Sequence, residues 1–421
     1  MEGGRTNRIG GLGAILGIVS SYCNHERFTC PDALAPGHLT SSPRPSIPRM
    51  NRDLDMMNRA ARLGARGIGR VEPNPLVGCV IADAGGAIIG EGWHQRFGEN
   101  HAEVNAINDC RSRGRDPRGT TMYLTLEPCN HAGKTPPCTE AIINAGIVRC
   151  LIARRDPNPA AAGGATRLEE AGVQVQWLDC PRAARLTDSF VHRITTGRPW
   201  VIVKWAQTLD GAIATRDGRS RWISSAASRA AVHRLRARMD VVMTGVGTVL
   251  SDDPLLTPRN TRRVPRPPRR VIVDPFLITP LDAQVVKTAH EAPTTIAVDE
   301  SSVSGHSALV EQFEERGVEI LPVAPLRGDI DLALLLKTLH DRHRATRVLV
   351  EAGGGLVGKL LRAGLVDELI TYLAPKVLGD AEAIGPVRGL NVHAMDAALR
   401  FRLIRVRRIG DDIEAIYRPG V

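Results

Sequence analysis

Residues 101–138, HAEVNAINDCRSRGRDPRGTTMYLTLEPCNHAGKTPPC, decide how this chain folds. They offer one imidazole, in His101-Ala102-Glu103, and two thiols, in Glu127-Pro128-Cys129 and Pro136-Pro137-Cys138. One histidine and two cysteines are protein ligands enough for a tetrahedral zinc that keeps its fourth position for water. Glu103 is not needed as a ligand, so it is free to move protons. Such a donor set suits hydrolytic removal of an amino group from a nucleobase-like ring.

The spacing has a geometric consequence. Side chains at i and i+2 diverge in the middle of a helix, so His101 and Glu103 share a site only at a helix mouth. Asn100 is the expected N-cap, with a helix over 101–110. A short buried strand over 121–126 (TMYLTL) places Cys129 just past a strand end. Pro137 suits a first helical position and Gly146 a C-terminal stop, so Cys138 opens a second helix. A thiol there is expected to have its pKa lowered by the helix dipole and the free N–H groups.

Plainer readings compete. An isolated HxE is common. Eight residues separate Cys129 from Cys138, against roughly two to four in compact zinc sites, and His131 between them is a rival nitrogen donor. The case rests on co-occurrence of HAE, a strand, EPC, a helix opened by PPC, and the upstream run Pro73-Asn74-Pro75-Leu76-Val77-Gly78. A closed structural zinc site would want a fourth protein ligand.

Four segments carry a resemblance: PNPLVGCVI (73–81), GEGWHQRFGENHAEVNAI (90–107), TLEPCNHAGKTPPCTEAIINAGI (125–147) and DPNP (156–159). Together they resemble the deaminase half of the bifunctional riboflavin-biosynthesis deaminase/reductases. The wider cytidine-deaminase-like superfamily has PCxxC, whereas the longer spacing here is that of the riboflavin branch. The resemblance implies zinc on His101, Cys129 and Cys138, proton transfer by Glu103, and Asn74 near the substrate. Turn chemistry between two prolines is the plainer reading of Asn74.

At 421 residues the chain has length for two or three domains. It is 43% hydrophobic and 24% charged, with no apolar run long enough to span a bilayer. Eight scattered cysteines make no disulfide framework; with a thiolate metal site they imply a reducing cytoplasm. The net charge of +10 comes with only 4% aromatics, few stacking platforms for single-stranded nucleic acid. Small phosphorylated ligands are the simpler account, with neither nucleic acid nor membrane as partner, and a homo-oligomer is expected.

Residues 1–49 differ from the rest. Arg5 and Arg8 precede a glycine-diluted apolar stretch, and Pro/Ser-rich sequence follows, without a convincing signal-peptide cleavage site. The expectation is a disordered extension, or a start codon assigned too far upstream, with Met50 opening the first amphipathic helix. From there to 195 the pattern alternates: helix 53–66, strands 77–82 and 87–91, helix 101–110, strand 121–126, helix 138–145, strand 148–153, helix 163–171, strand 173–177 and helix 181–193. That is a three-layer α/β domain, and residues 196–199 read as a linker.

Beyond the linker, residues 200–421 are strand-rich α/β. Strands are expected at 201–204, 241–244, 270–274, 347–351, 368–373 and in the region 401–418, with a basic helix over 226–238. The strand at 347–351 runs into Gly353, Gly354, Gly355, Leu356, Val357, Gly358 and Lys359 at a helix start, a natural phosphate cradle. The spacing fits GxxxxGK, but position 360 is Leu where a nucleoside triphosphatase needs Ser or Thr for magnesium. GxGxxG is not satisfied either, and a non-Rossmann dinucleotide site fits the cradle better.

LDGAIA (209–214), SRWISS (220–225), DVVMTGVGTVLSDDPLLTPR (240–259), VEAGGGLVGKLL (350–361) and VDELITYLAPKVLG (366–379) resemble the reductase half of the same family. The resemblance implies a dihydrofolate-reductase-like fold that uses NADPH. It places Ala206, Trp222, Thr248, Asp252 and residues 353–359 against the cofactor. It places Ser220, Arg236, Leu256, Arg259 and Glu351 against the substrate, a pyrimidine bearing a ribosylamino 5′-phosphate. Lys204 is assigned a polar role in hydride transfer. The family commonly has Arg where this chain has Ala212. On the residues alone, Arg236 fits a solvated basic face with Arg229, Arg234 and Arg238, Arg259 an exposed Pro/Arg-rich loop, and Trp222 a core position. A ribose phosphate nevertheless needs a guanidinium or ammonium partner.

Overall fold

The computed structural model describes residues 49–131, 136–261 and 266–420. Apart from residue 49, the expected extension lies outside the described residues.

Residues 49–196 alternate helix and strand: α1 (Arg49–Gly64), β1 (Gly78–Ala82), β2 (Ile88–Trp93), α2 (Ala102–Ser112), β3 (Thr121–Leu124), α3 (Cys138–Asn144), β4 (Arg149–Ile152), α4 (Gly164–Glu170), β5 (Gln174–Trp177) and α5 (Pro181–Thr196). The sheet runs β2-β1-β3-β4-β5. β1 pairs antiparallel with β2 and β3, while β3, β4 and β5 are parallel. β1, β3 and β4 lack polar alternation because both faces of the sheet are covered. Cys79, Ile81, Met122, Leu124 and Ile152 meet Ala106, Ile142, Leu168 and Phe190 on one side. Val80, Tyr123 and Leu151 meet Met57, Ala60 and Leu63 of α1 on the other.

Gly92 decides how closely α2 lies on this sheet. A Cβ there would sit 2.2 Å from the carbonyl oxygen of Ala102 and 2.3 Å from the nitrogen of Ala106. Only glycine on the strand and alanines on the helix allow that approach, and it is the start of α2 that carries His101 and Glu103.

Residues 200–420 supply β6 (Trp200–Gln207), α6 (Ala226–Arg236), β7 (Val241–Gly245), α7 (Val246–Asp252), β8 (Arg269–Val273), α8 (Gln284–Lys287), β9 (Thr294–Asp299), α9 (Glu300–Ser304), α10 (Ser307–Glu315), β10 (Val318–Val323), β11 (Pro325–Leu326), β12 (Asp329–Ile330), α11 (Leu332–His343), β13 (Arg347–Val350), α12 (Gly354–Arg362), β14 (Glu368–Leu373), β15 (Phe401–Ile409) and β16 (Asp412–Pro419). Nine of the strands form one sheet, β10-β9-β8-β7-β13-β6-β14-β16-β15. It is parallel from β10 to β14, and β16 and β15 close it antiparallel. Val203, Met243, Val271 and Val350 pack under α11 and α12, through Leu335, Leu339, Val357 and Leu360. The other face receives α6 through Ala231 and Val232, and Phe313 and Val286 farther along.

Helix α5 joins the halves. Phe190 belongs to the first core, while Asp188 accepts from Arg154 of the first half and from Arg418 of the second, both at 2.6 Å. Arg347 on β13 donates to Ser189 Oγ at 3.1 Å. Gly197, at φ 69°, ends the helix, and Arg198 then grips Asp367 with two bonds of 2.7 and 2.8 Å. The expected linker is therefore a tight, ion-paired turn.

Candidate active sites

The first site forms where α2 and α3 begin. His101 takes the N-cap position expected for Asn100, with extended backbone at φ −73°, ψ 172° and no cap hydrogen bond from its side chain. The side chain is committed elsewhere: Nδ1 lies 3.6 Å from Cys129 Sγ and 3.3 Å from Cys138 Sγ. The Asn100 carbonyl meanwhile lies 3.1 Å from His94 Nδ1 and accepts from the Asn105 side chain.

All three donor atoms of His101, Cys129 and Cys138 lie within 4.8 Å of one another. Zn–S bonds of about 2.3 Å and Zn–N bonds of about 2.0 Å in a tetrahedron put the ligand atoms roughly 3.5 Å apart, so these residues fit a zinc ion. Among the described residues this is the cluster with metal-binding geometry, and His131 is not in it.

Glu103, in the first turn of α2, is buried, and its Oε2 has no hydrogen-bond partner. Burial pushes its carboxyl up to about 6, against the opposing charge of His101. The two thiols split. A hydrogen bond from Cys138 holds Cys129 down at about 4, while Cys138 is pushed up by donating that bond and by burial. The helix start therefore does not give Cys138 the lower pKa that its position alone led us to expect. Only a cation between the sulfurs favours both thiolates at once.

The loop bearing Cys129 is fixed from behind. Glu127 is buried and accepts from the backbone nitrogens of Asp156 at 3.1 Å and Ala165 at 3.0 Å. Gly164 leaves room for the carbonyl of Pro128, which would lie 1.9 Å from a Cβ there. A cavity of about 410 Å³ opens onto the cluster. Asn74, His94, Asp156, Asn158 and Arg193 line it. His94 Nδ1 donates to the Asn100 carbonyl, leaving Nε2 to accept from Asn74 at 3.3 Å, and burial lowers its pKa. Sequence reasoning missed His94, Asp156 and Asn158 as individuals, although GWH and DPNP contain them.

The second site is a cavity of about 1030 Å³ at the carboxyl ends of β6, β7 and β13. Ala206, Ser220, Trp222, Thr248, Asp252, Leu256 and Arg259 line it, as do Gly353, Gly354, Gly355, Leu356 and Lys359. Val357 is instead fully buried in the core. Gly358 faces the Arg388 carbonyl, 1.8 Å from where a Cβ would stand. The N–H groups facing the cavity are thus those of the first turn of α12, where a helix leaves them unpaired. Thr248 Oγ1 accepts from Gly353 N at 3.3 Å and ties α7 to this loop. Lys359 pairs with Asp329.

At the floor of the cavity Arg236 donates to Glu351 through Nε at 2.6 Å and Nη2 at 3.1 Å, and Lys204 approaches it at 3.5 Å. Burial would raise the Glu351 carboxyl, but the charges of Arg236 and Lys204 outweigh it and hold it at about 2. Arg236 is therefore not on a solvated face; its third nitrogen donates to the Thr257 carbonyl. Trp222 is not core either: it is 61% exposed at the cavity mouth, with Arg229 over its ring at 4.4 Å.

Comparison with known proteins matches both halves of the chain. Residues 50–154 match the family model of the cytidine and deoxycytidylate deaminase zinc-binding region, and residues 199–415 that of the RibD C-terminal domain. The chain is similar to the riboflavin biosynthesis protein RibD of Actinobacillus pleuropneumoniae, 41% identical over 363 residues that cover 86% of this chain and 94% of that protein. The Escherichia coli RibD is 39% identical over 366 residues, covering 85% and 96%. Among solved structures, Acinetobacter baumannii RibD superposes with a TM-score of 0.75 at 35% identity, covering 89% of this chain and all of that one. A Thermotoga maritima diaminohydroxyphosphoribosylaminopyrimidine deaminase/5-amino-6-(5-phosphoribosylamino)uracil reductase gives 0.76 at 32%, covering 88% and 99%.

Proposed function

The chain belongs to the RibD family of bifunctional riboflavin-biosynthesis deaminase/reductases, and from that premise we propose its substrates and the role of each site residue. It pairs a zinc-dependent deaminase domain with an NADPH-dependent reductase domain, which we divide at residues 196–199. The deaminase substrate is 2,5-diamino-6-(5-phosphoribosylamino)pyrimidin-4-one. The aminouracil product passes to the reductase, where its ribosyl group becomes a ribityl phosphate.

His101, Cys129 and Cys138 would hold the zinc, which would make water a stronger acid at neutral pH. Glu103 takes a proton from the attacking water and delivers it to the amino group as the C–N bond breaks, so ammonia leaves and a carbonyl remains. A buried carboxyl with one oxygen left without a partner is placed to exchange a proton in both directions. Asn74 and its partner His94 orient the ring.

In the reductase, the first turn of α12 would hold the phosphates of the cofactor, which would supply the hydride. Ala206, Trp222, Thr248 and Asp252 complete its seat. Ser220, Leu256 and Arg259 hold the ribotide, Arg259 by charge. Arg236 acts through Glu351, and that pair positions Lys204 beside the carbon to be reduced.

The protein works in the cytoplasm on small phosphorylated pyrimidines, without nucleic acid or membrane as partner. Among the described residues no helix is long and apolar enough to cross a membrane. It assembles with copies of itself through the sheet edge at β15, which exposes Leu403 and Val406. The observation that carries the reading is the His101–Cys129–Cys138 cluster beside a buried carboxylate with an unpartnered oxygen. The test is a coupled assay on purified protein with the diaminopyrimidinone ribotide. Ammonia release followed by NADPH oxidation is expected; NADPH oxidation without ammonia release would overturn the order of the two steps.

A further inference from the structure

We propose that Arg193 receives the substrate's phosphate in the deaminase pocket and so sets the preference of that pocket for a ribotide over a riboside; this rests on the substrate reading above. Arg193 lies in the last turn of α5 and lines the deaminase cavity beside Pro73 and Asn74. Nη2 donates to the Pro73 carbonyl at 2.9 Å, and the Phe190 ring lies 5.5 Å away. Nε is buried without a hydrogen-bond partner.

This cation differs from its neighbours in having no counter-charge. Arg154 pairs with Asp188, Arg198 with Asp367, and Arg418 with Asp188 and Glu368, all around the same helix. No carboxylate among the described residues pairs with Arg193. A half-buried guanidinium left uncompensated carries a desolvation cost that a bound anion would offset.

Away from the metal cluster, the described residues of the pocket give an anion little else. Glu99, Glu103, Glu127 and Asp156 all line it. Among the described lining residues Arg193 alone carries a permanent positive charge, since burial disfavours the charged form of His94. A phosphate monoester brings roughly one and a half to two negative charges at neutral pH, and the planar guanidinium matches its oxygens in pairs. Nε of Arg193 is left without a partner of its own.

Ammonia release is measured on the ribotide and on the same compound without its phosphate, for wild type, R193K and R193Q. For R193Q the ribotide KM should rise about ten- to a hundred-fold, as expected for one charged hydrogen-bonded contact, with kcat little changed. The riboside should show the same KM in all three proteins. R193K, which keeps the charge and loses the fork, should recover part of the effect, and ribose 5-phosphate should inhibit wild type more strongly than R193Q. Zinc content and melting temperature serve as folding controls. An equal loss on both substrates would mean that Arg193 only braces the Pro73 loop, and an unchanged ribotide KM would remove it from binding; either overturns the proposal. A wild type that releases no ammonia from the ribotide is a separate failure, that of the substrate reading, and it defeats this proposal too.

Discussion

The two cavities solve different problems with the same kind of scaffold. The deaminase pocket, about 410 Å³, gathers its reactive groups at two helix starts and one strand end, within 4.8 Å of one another. The reductase cavity, about 1030 Å³, draws its floor from Lys204, Arg236 and Glu351, residues on three elements far apart in the chain. A metal needs a few donors at fixed short range, so close sequence spacing can supply them. An extended dinucleotide with a ribotide beside it needs length, and only a wide sheet with loops at one end provides it. The small site is therefore written in motifs and the large one in topology.

That contrast can be broken first at Glu103. Glu103→Gln should cut ammonia release by roughly 10²–10⁴-fold, the usual worth of a positioned general acid–base group. It should leave zinc bound and NADPH oxidation intact when the aminouracil is supplied. Metal analysis and the two half-reactions measured separately decide it, and a parallel loss of reductase activity would show the halves to be chemically coupled.

A smaller effect is expected from Glu351→Gln. The change leaves Arg236 and Lys204 adjacent without their carboxylate, which costs on the order of 3–5 kcal/mol when one partner of a buried pair is removed. Urea unfolding should show an earlier midpoint, and NADPH oxidation should fall while deamination persists.

Smallest is a dependence on pH. Glu351 is held at about 2, below its ordinary value of 4.5, so the unfolded chain binds its proton first as the medium is acidified. The stabilisation is complete above about pH 4.5 and is lost as the pH falls from there through about 2. Unfolding midpoints measured between pH 6 and pH 3 should decline at the acid end for wild type and decline less for Glu351→Gln.

How much was legible follows the same division. His101, Glu103, Cys129 and Cys138 were readable because the chemistry demands those residue types at helix starts, and α2 and α3 begin there. His94 was not, since its importance lies in a ring contact with His101, 5.1 Å between centroids, that only the fold creates. Asn100 looked like a cap by residue type, but the backbone gives that position to His101. In the second half the Pro/Arg-rich run looked exposed, yet Arg270 is fully buried, bonded to Thr288, Ala292 and Thr294. Residues alternate sides along β8, and a charge count does not show which one turns inward. The segment 284–343 carries no motif, although it supplies α8 to α11 and β9 to β12.

The residues on α5 have a consequence for the ancestry of such a polypeptide. Asp188 and Ser189 answer Arg418 and Arg347, so a gene cut at Gly197 would leave each daughter protein with half of a charge lattice open to water. Recombination that exchanged one catalytic half for a distant relative's would have to carry matching partners for this helix. Fusion here behaves as a ratchet: joining the two activities takes one event, and parting them again requires several changes together.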